Sequence, residues 1–145
     1  MNLITDRTQA DVDRVAQLAG KGFANMTEAE QTEWLAGLKG AYNYTDLNRV
    51  ESAVRALADI LGVNVTVKTN WLVSDVPTAA DMTRYLDNIR ALREVNSALA
   101  RTPAVPATMT GLTYKTANDI EQILLDIEAV INCWRRCGEA ICGEV

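Results

Sequence analysis

The 145-residue chain contains no histidine. This absence removes the side chain that enzymes use most often for proton transfer and the commonest metal ligand in proteins. The sequence also has no glycine-rich phosphate-binding loop and no set of metal-ligating residues at a convincing spacing. We therefore assign no catalytic residue, no cofactor and no metal site from sequence.

Cysteine is scarce, and all three cysteines lie near one end of the chain, at Cys133, Cys137 and Cys142. An odd number in one short region does not fit the disulfide framework of a secreted domain. A zinc site would need a fourth ligand, and histidine cannot supply it. We predict free thiols in preference to a disulfide or a zinc site.

Positively charged residues are outnumbered by acidic ones, so that the net charge is −5 and the isoelectric point is about 4.7. The pair Arg135-Arg136 is too short to form the basic stripe of a nucleic-acid-binding protein. An anionic membrane surface is disfavoured for the same reason, and no apolar run approaches the length of a membrane span. Residues 1–7 do not resemble a signal peptide, so we expect residence in a cytoplasm.

Aromatic residues make up only 6% of the chain, whereas 48% of its residues are hydrophobic. A core built from Leu, Ile, Val and Ala suits helices, and 145 residues suffice for one domain with a real core. We predict a mainly α, single-domain bundle (residues 1–145) of about five helices. The first segment covers residues 9–20 after Thr8, and the second begins with Thr27 and Glu30 and ends at Gly40. The third has Thr45 as its N-cap and ends at Gly62. The fourth is capped by Thr78 and Asp81 and has an apolar stripe that reaches Leu99, and the fifth runs from residue 114 past Trp134.

In one short segment, apolar residues recur at every second position and not at helical spacing. Residues 63–67 alternate β-branched apolar and polar side chains, which is typical of a strand. A single strand needs a partner. We therefore predict a short two-stranded pairing with residues 139–145, the other extended candidate in the chain.

A repeated motif opens two of the predicted helices. Tyr, Asn, a branched aliphatic residue and Glu recur at the same spacing, and the apolar stripes that follow coincide over four turns, with Leu57 aligned on Ile127. This repeat predicts two equivalent helices that lie side by side and share one core. Its polar members are Tyr44, Asn48 and Glu51 in the first copy and Tyr114, Asn118 and Glu121 in the second.

The polar residues of the repeat admit two interpretations. In the first, each Tyr lies just outside its helix and closes over its end, while the Asn amide binds a neighbouring backbone segment and the Glu binds the same neighbour or faces solvent. In the second, both Asn–Glu pairs build a binding or catalytic site, since two carboxylates in an apolar pocket can perform acid–base chemistry. We favour the structural interpretation.

Two further residues are candidates for contact with a partner. Val65 lies in the predicted strand, whose edge could accept a strand from another chain. Trp71 follows that strand and either covers the core as a lid or anchors a partner. We favour the lid.

The chain resembles a family of small proteins encoded in the structural or tail gene regions of bacteriophages and prophages of gut Firmicutes. The resemblance spans the full length and is most specific in residues 3–12 and in the block Gly40-Ala41-Tyr42-Asn43-Tyr44. Softer matches include Glu33-Trp34-Leu35, Leu112-Thr113-Tyr114 and Gly143-Glu144-Val145. The cysteine-rich end departs from the family pattern.

The resemblance implies a non-enzymatic virion structural or tail/fibre-associated adaptor that acts through protein–protein contacts with other phage structural proteins. It also implies a homo-oligomer, because virion proteins occur in symmetric sets, and a location in the host cytoplasm during assembly and then in the virion. The alternatives are a prophage-encoded intracellular regulator or small-ligand-binding helical module, and a small hydrolase or isomerase that uses Glu51 and Glu121.

Overall fold

The computed structural model of the chain describes residues 1–95 and 102–142, with the backbone alone for the last five of these. The described chain is mainly helical, as predicted. It contains α1 (Gln9–Lys21), a 3-10 helix (Phe23–Asn25), α2 (Glu28–Ala36), α3 (Tyr44–Leu61), α4 (Ala79–Glu94) and α5 (Tyr114–Cys142). No helix in these described ranges is both long and apolar enough to cross a membrane.

The core is formed by α3, α4 and α5, each of which packs against the other two. Aliphatic side chains at helical spacing meet at the centre, where Leu57 of α3 and Ile127 of α5 are both essentially inaccessible to solvent and belong to one buried cluster. The prediction that the two repeat helices share a core is therefore confirmed. Tyr85, Ile89 and Leu92 of α4 complete the cluster.

The helices α1 and α2, with the 3-10 helix between them, form an N-terminal hairpin (residues 9–36). Capping boxes begin both helices, at Thr8 with Asp11 and at Thr27 with Glu30. Leu18 and Met26 are buried, and Arg14 binds Glu33 with 2.5 Å between Nη2 and Oε2. The hairpin therefore has its own small apolar centre beside the three-helix core.

The predicted two-stranded pairing is wrong. No β-strand is present in residues 1–95 and 102–142, and residues 139–142 belong to α5, while residues 143–145 lie outside the described chain. The alternation at residues 63–67 still has a cause, because Val63, Val65 and Val67 pack against the core while Asn64 and Thr66 are exposed. The segment is extended, but helix side chains replace a partner strand: Asn88 accepts a hydrogen bond from the Thr66 amide and donates one to its carbonyl.

Several helix ends differ from the sequence prediction. Gly37 ends α2 with φ 92°, three residues before the predicted Gly40. Asn43 caps α3 instead of Thr45, because its side chain reaches the Thr45 amide and the Asp46 carboxylate reaches back to the Asn43 amide. At the far end of α5 the apolar stripe leaves the core, so Trp134 is 53% exposed. Leu99 lies outside the described residues.

Gly40 allows the loop between α2 and α3 to touch α1. A Cβ atom at this position would lie 2.2 Å from the carbonyl oxygen of Asp11, which is a backbone atom and cannot rotate away. We predict that Gly40→Ala lowers the free energy of unfolding by about 1–3 kcal/mol, the usual cost of overpacking. Thermal or urea denaturation measures the change.

The matched control is Gly20→Ala, since a Cβ atom at Gly20 has no neighbour within 4 Å. This substitution lies inside α1, where alanine favours the helix by about 1 kcal/mol over glycine. Equal losses of stability in both variants would contradict the close approach of the loop to α1.

The stability that Glu30 contributes to the hairpin should be lost in acid. Hydrogen bonds from Lys21 and from the Thr27 backbone lower the pKa of Glu30 from 4.5 to about 2. A lowered folded-state pKa contributes stability that is complete above the unfolded value and is lost as the pH falls through the folded value. The melting temperature of the native chain should therefore exceed that of Glu30→Gln above pH 4.5, and this difference should shrink toward pH 2. A difference that persists unchanged at pH 2 would exclude this cause.

Candidate functional site

The first copy of the repeated motif holds a short extended segment, residues 68–71, here called strap 2. Asn48 of α3 accepts a hydrogen bond from the Trp71 amide at 2.7 Å and donates one to the Trp71 carbonyl at 2.9 Å. One turn further along α3, Glu51 accepts from the Lys68 amide at 2.7 Å. We call Asn48 and Glu51 the α3 clamp, because together they bind the backbone at both ends of strap 2.

The second copy makes the same contacts with a different segment, residues 4–7, here called strap 1. Asn118 of α5 accepts from the Arg7 amide at 3.1 Å and donates to the Arg7 carbonyl at 2.9 Å. Glu121 accepts from the Ile4 amide at 2.6 Å. Asn118 and Glu121 therefore form an α5 clamp that matches the α3 clamp bond for bond.

Each strap binds a helix other than the one that follows it in the chain. Strap 1 precedes α1 but binds α5, whereas strap 2 precedes α4 but binds α3. In each strap the residue bound by Glu lies three positions before the residue bound by Asn. The repeat therefore has a defined structural meaning: it is a helix-borne device that satisfies the backbone of an extended segment which has no partner strand.

Both glutamates are buried and each is neutralised by arginine. Glu51 is 1% exposed and binds Arg84 of α4 through both carboxylate oxygens, at 2.6 and 3.0 Å. Glu121 is fully buried and binds Arg49 of α3 through both oxygens, at 3.0 and 2.8 Å. These bidentate contacts tie α3 to α4 and α5 to α3.

The α5 clamp belongs to a network of four ion pairs, whereas the α3 clamp has one. The Arg7 guanidinium is 3% exposed and donates at 2.7 Å to both Glu121 and Asp46. Arg49 also binds Asp46. Two carboxylates and two guanidiniums thus form a charge-balanced network that is buried except at Arg49. Arg7 additionally donates to the carbonyls of Ile4 and Lys39.

Hydrogen bonds to buried carboxylates raise the pKa of Arg49 and of Arg84. Burial opposes the charge of Arg49, but hydrogen bonds to Glu121 and Asp46 outweigh this effect and raise its pKa above the ordinary value. The hydrogen bonds to Glu51 likewise raise the pKa of Arg84. Both guanidiniums therefore stay charged at every accessible pH.

Two tyrosines meet beside the clamps without acquiring acid–base character at neutral pH. The hydroxyl groups of Tyr42 and Tyr85 are hydrogen-bonded to each other. Burial raises the pKa of both phenols above the ordinary value, and for Tyr85 the neighbouring Tyr42 adds to the shift. Both side chains therefore remain protonated, and the pair acts as a polar contact within the fold.

The clamp carboxylates have no free acceptor position for a substrate. A carboxylate offers about four lone-pair sites. Glu51 accepts from the Lys68 amide, the Trp71 indole and Arg84, and Glu121 accepts from the Ile4 amide, Arg7 and Arg49, so that each oxygen of both groups accepts two hydrogen bonds. The geometry thus favours the structural interpretation of the repeat over acid–base chemistry.

The remaining residues singled out from sequence have different positions. Tyr44 and Tyr114 are the first residues of their helices, so the expectation that they lie outside the helices is wrong. Tyr44 is 38% exposed. Val65 packs partly against the core. Trp71 is 3% exposed and covers the core, with its indole donating to Glu51 and with Lys68 Nζ 3.8 Å from its ring centroid.

Sequence reasoning missed the three arginines that bind the clamp glutamates, the carboxylate that shares two of them, and the amide on α4. These residues are Arg7, Arg49, Arg84, Asp46 and Asn88. Arg7 is 111 positions from Asn118, so no local pattern joins them. A weak indication existed, because Ile4-Thr5-Asp6-Arg7 and Lys68-Thr69-Asn70-Trp71 share a central Thr followed by Asp or Asn.

An apolar groove with a volume of about 920 Å³ lies between the N-terminal hairpin and the core. Its lining includes Trp34, Leu35 and Leu38, then Trp71 of strap 2 with Leu72 and Val73 after it, and Leu47, Met82 and Leu86 of the core helices. Leu35, Leu72 and Val73 at the rim are 75%, 60% and 83% exposed. Leu35 of α2 therefore lies at this rim and not in the core.

The charged residues of the groove already have partners. Asp75 binds Lys68 at 2.8 Å, and Arg90 binds Asp87 at 2.5 Å and the Pro106 carbonyl at 2.7 Å. In the part of the chain whose side chains are described, no group of three or more acidic or cysteine side chains could hold a metal ion, and Cys133 and Cys137 are free thiols. The side chain of Cys142 is not described.

No protein-family model, no curated protein and no solved structure matches this chain.

The clamp glutamates should be required for stability. We predict that Glu51→Gln and Glu121→Gln each lower the free energy of unfolding by about 3–5 kcal/mol, because the change leaves a guanidinium without its buried counter-charge. Urea denaturation monitored by circular dichroism measures the loss. Glu94→Gln, an exposed change at the end of α4, is the matched control and should leave stability within about 0.5 kcal/mol. A clamp variant as stable as this control would contradict the structural role and revive the catalytic one.

Proposed function

We propose that this chain is a non-enzymatic phage virion structural or tail-associated adaptor that acts by binding other protein chains. The phage assignment rests on the family resemblance of the sequence. The interaction role rests on one structural observation: a long apolar groove has protruding aliphatic side chains at its rim. Exposed apolar surface of this kind marks binding sites in proteins.

The saturation of the clamp carboxylates supports a role without catalysis. Glu51 and Glu121 are committed to holding the straps, and the shifted pKa values of Tyr42 and Tyr85 keep both phenols protonated. The polar residues conspicuous in the sequence therefore maintain a rigid body. The groove is the surface that this body presents.

The shape and charge of the groove define the partner it suits. It follows α4 from Ala79 to Arg90, about 17 Å of helix at 1.5 Å per residue. Its charged side chains are already paired, so an occupant gains nothing from charge there. The matching partner is the apolar face of an amphipathic helix of about three turns from a neighbouring structural protein, which is a common mode of recognition.

The adaptor would work in the host cytoplasm during assembly and then in the virion, as part of a symmetric set of copies. Nucleic acid and membrane are not proposed as partners, since the net charge of −5 disfavours both polyanions.

Mass spectrometry of purified virions tests this proposal, because it predicts that the chain is a component of the particle. The double variant Leu35→Glu/Val73→Glu should fold normally, since both side chains are largely exposed. Its abundance in particles should fall at least about tenfold, the effect of about 1.4 kcal/mol of lost affinity.

The matched control is Ile60→Glu, an equally apolar residue of α3 that is 48% exposed and outside the groove lining. This variant should enter particles at the native level. Normal incorporation of the double variant would exclude the groove as the docking surface, and absence of the native chain from particles would exclude the virion role.

A second candidate function has its own supporting observation. The groove volume of about 920 Å³ lies within the range of roughly 300–1,000 Å³ found for small-molecule sites. A small-ligand-binding module or intracellular regulator would therefore also suit this surface. Such a protein would be missing from particles, and an apolar dye bound in the groove would be displaced by its ligand and lost in the double variant.

A further inference from the structure

The α5 clamp is a complete binding site for an extended peptide. Its ligand, strap 1, makes backbone contacts through Ile4 and Arg7 and inserts one charged side chain. The contacts join residues 111 to 117 positions apart in the chain. The site and its ligand are therefore covalently linked only through the hairpin and the loop that follows it.

Charge explains which strap the site accepts. Without strap 1, Asp46 and Glu121 have Arg49 as their one partner among these ion pairs, which leaves one negative charge unpaired. Arg7 supplies the missing positive charge. An uncompensated buried charge is strongly destabilising, so this site is stable only when an arginine-bearing strap fills it.

The α3 clamp provides the internal comparison. Glu51 already faces Arg84, so its strap adds a neutral residue, Trp71. The α3 clamp thus has no need of charge from its strap, whereas the α5 clamp requires a guanidinium at the position of Arg7.

Strap 1 and the hairpin are joined covalently to the core through a single loop, residues 37–43. The hairpin has its own buried residues and ion pairs, and the groove separates it from α4. Residues 37–43 join it to α3 and include Gly37 with φ 92° and Gly40 at the contact with α1. If this loop extends, strap 1 and the hairpin can move as one unit, and the vacated α5 clamp must be refilled.

We propose that the α5 clamp accepts strap 1 from a second copy of this chain, so that copies are linked by exchange of their first 36 residues. The second copy is the occupant because its strap carries the same backbone pattern and the same arginine that the site requires. Exchange recreates every clamp contact in the dimer, which makes it a low-cost route to association. The inference rests on the proposed assembly role and supplies a means by which identical copies assemble.

The ion pair between the Met1 amino group and Glu128 allows a direct test on the native chain. These groups are 3.1 Å apart, so a carbodiimide can join them as an amide without a spacer. Unlabelled and nitrogen-15-labelled full chains are unfolded, mixed in equal amounts, refolded together from micromolar to millimolar concentration, and treated with the reagent. Trypsin then releases residues 1–7 linked to residues 116–135, and mass spectrometry reads the isotope content of each half.

Exchange predicts linked peptides with one heavy and one light half, rising toward about half of the total at high concentration, as random pairing in a dimer requires. Native mass spectrometry of the same samples should detect mixed heavy–light dimers. Glu128→Gln is the matched control and should abolish the link while leaving the mixed dimers.

Links that are all heavy–heavy or all light–light at every concentration would overturn strap exchange, as would a monomeric mass throughout. This outcome is distinct from failure of the proposed function. A chain that never exchanges straps, yet still depends on Leu35 and Val73 for entry into particles, would remain an adaptor.

Discussion

The structure depends on helix side chains that satisfy the backbone of extended segments. An extended segment against a helical core has amide and carbonyl groups with no ladder partner, and burying them unpaired is costly. Asn48, Asn88 and Asn118 resolve this by binding both backbone groups of one residue. Glu51 and Glu121 each bind the amide that lies three residues earlier in the strap. The chain can therefore join core helices with extended segments without building a sheet.

These side chains also determine how the helices are held. Each clamp glutamate binds an arginine of a neighbouring helix, so the contact that positions a strap also fixes two helices relative to each other. The apolar stripes supply the driving force for packing. The ion pairs of the clamp glutamates select one helix arrangement among the several that apolar helix faces alone would allow. The groove lies between the core helices and the hairpin, which follows strap 1 and leads into the loop before α3.

Local features were predictable from sequence and distant ones were not. The repeat identified α3 and α5 as equivalent helices because its letters lie within two turns of each other, and capping boxes at Thr8, Thr27 and Thr78 marked three helix starts. Period-two alternation correctly indicated extended chain at residues 63–67, but it cannot reveal whether a strand or an asparagine will supply the hydrogen bonds. Arg7 was overlooked because its partners are 39 and 114 positions away.

The unequal charge of the two clamps has a consequence for the fidelity of folding. Because the clamps recognise backbone in the same way, a nascent chain could place each strap on the wrong helix. Strap 1 beside Glu51 and Arg84 would leave a surplus cation, and strap 2 beside Asp46, Glu121 and Arg49 would leave a surplus anion. Each wrong pairing leaves an unbalanced charge. The chain therefore disfavours the topology in which the two straps are interchanged, although both clamps bind backbone in the same way.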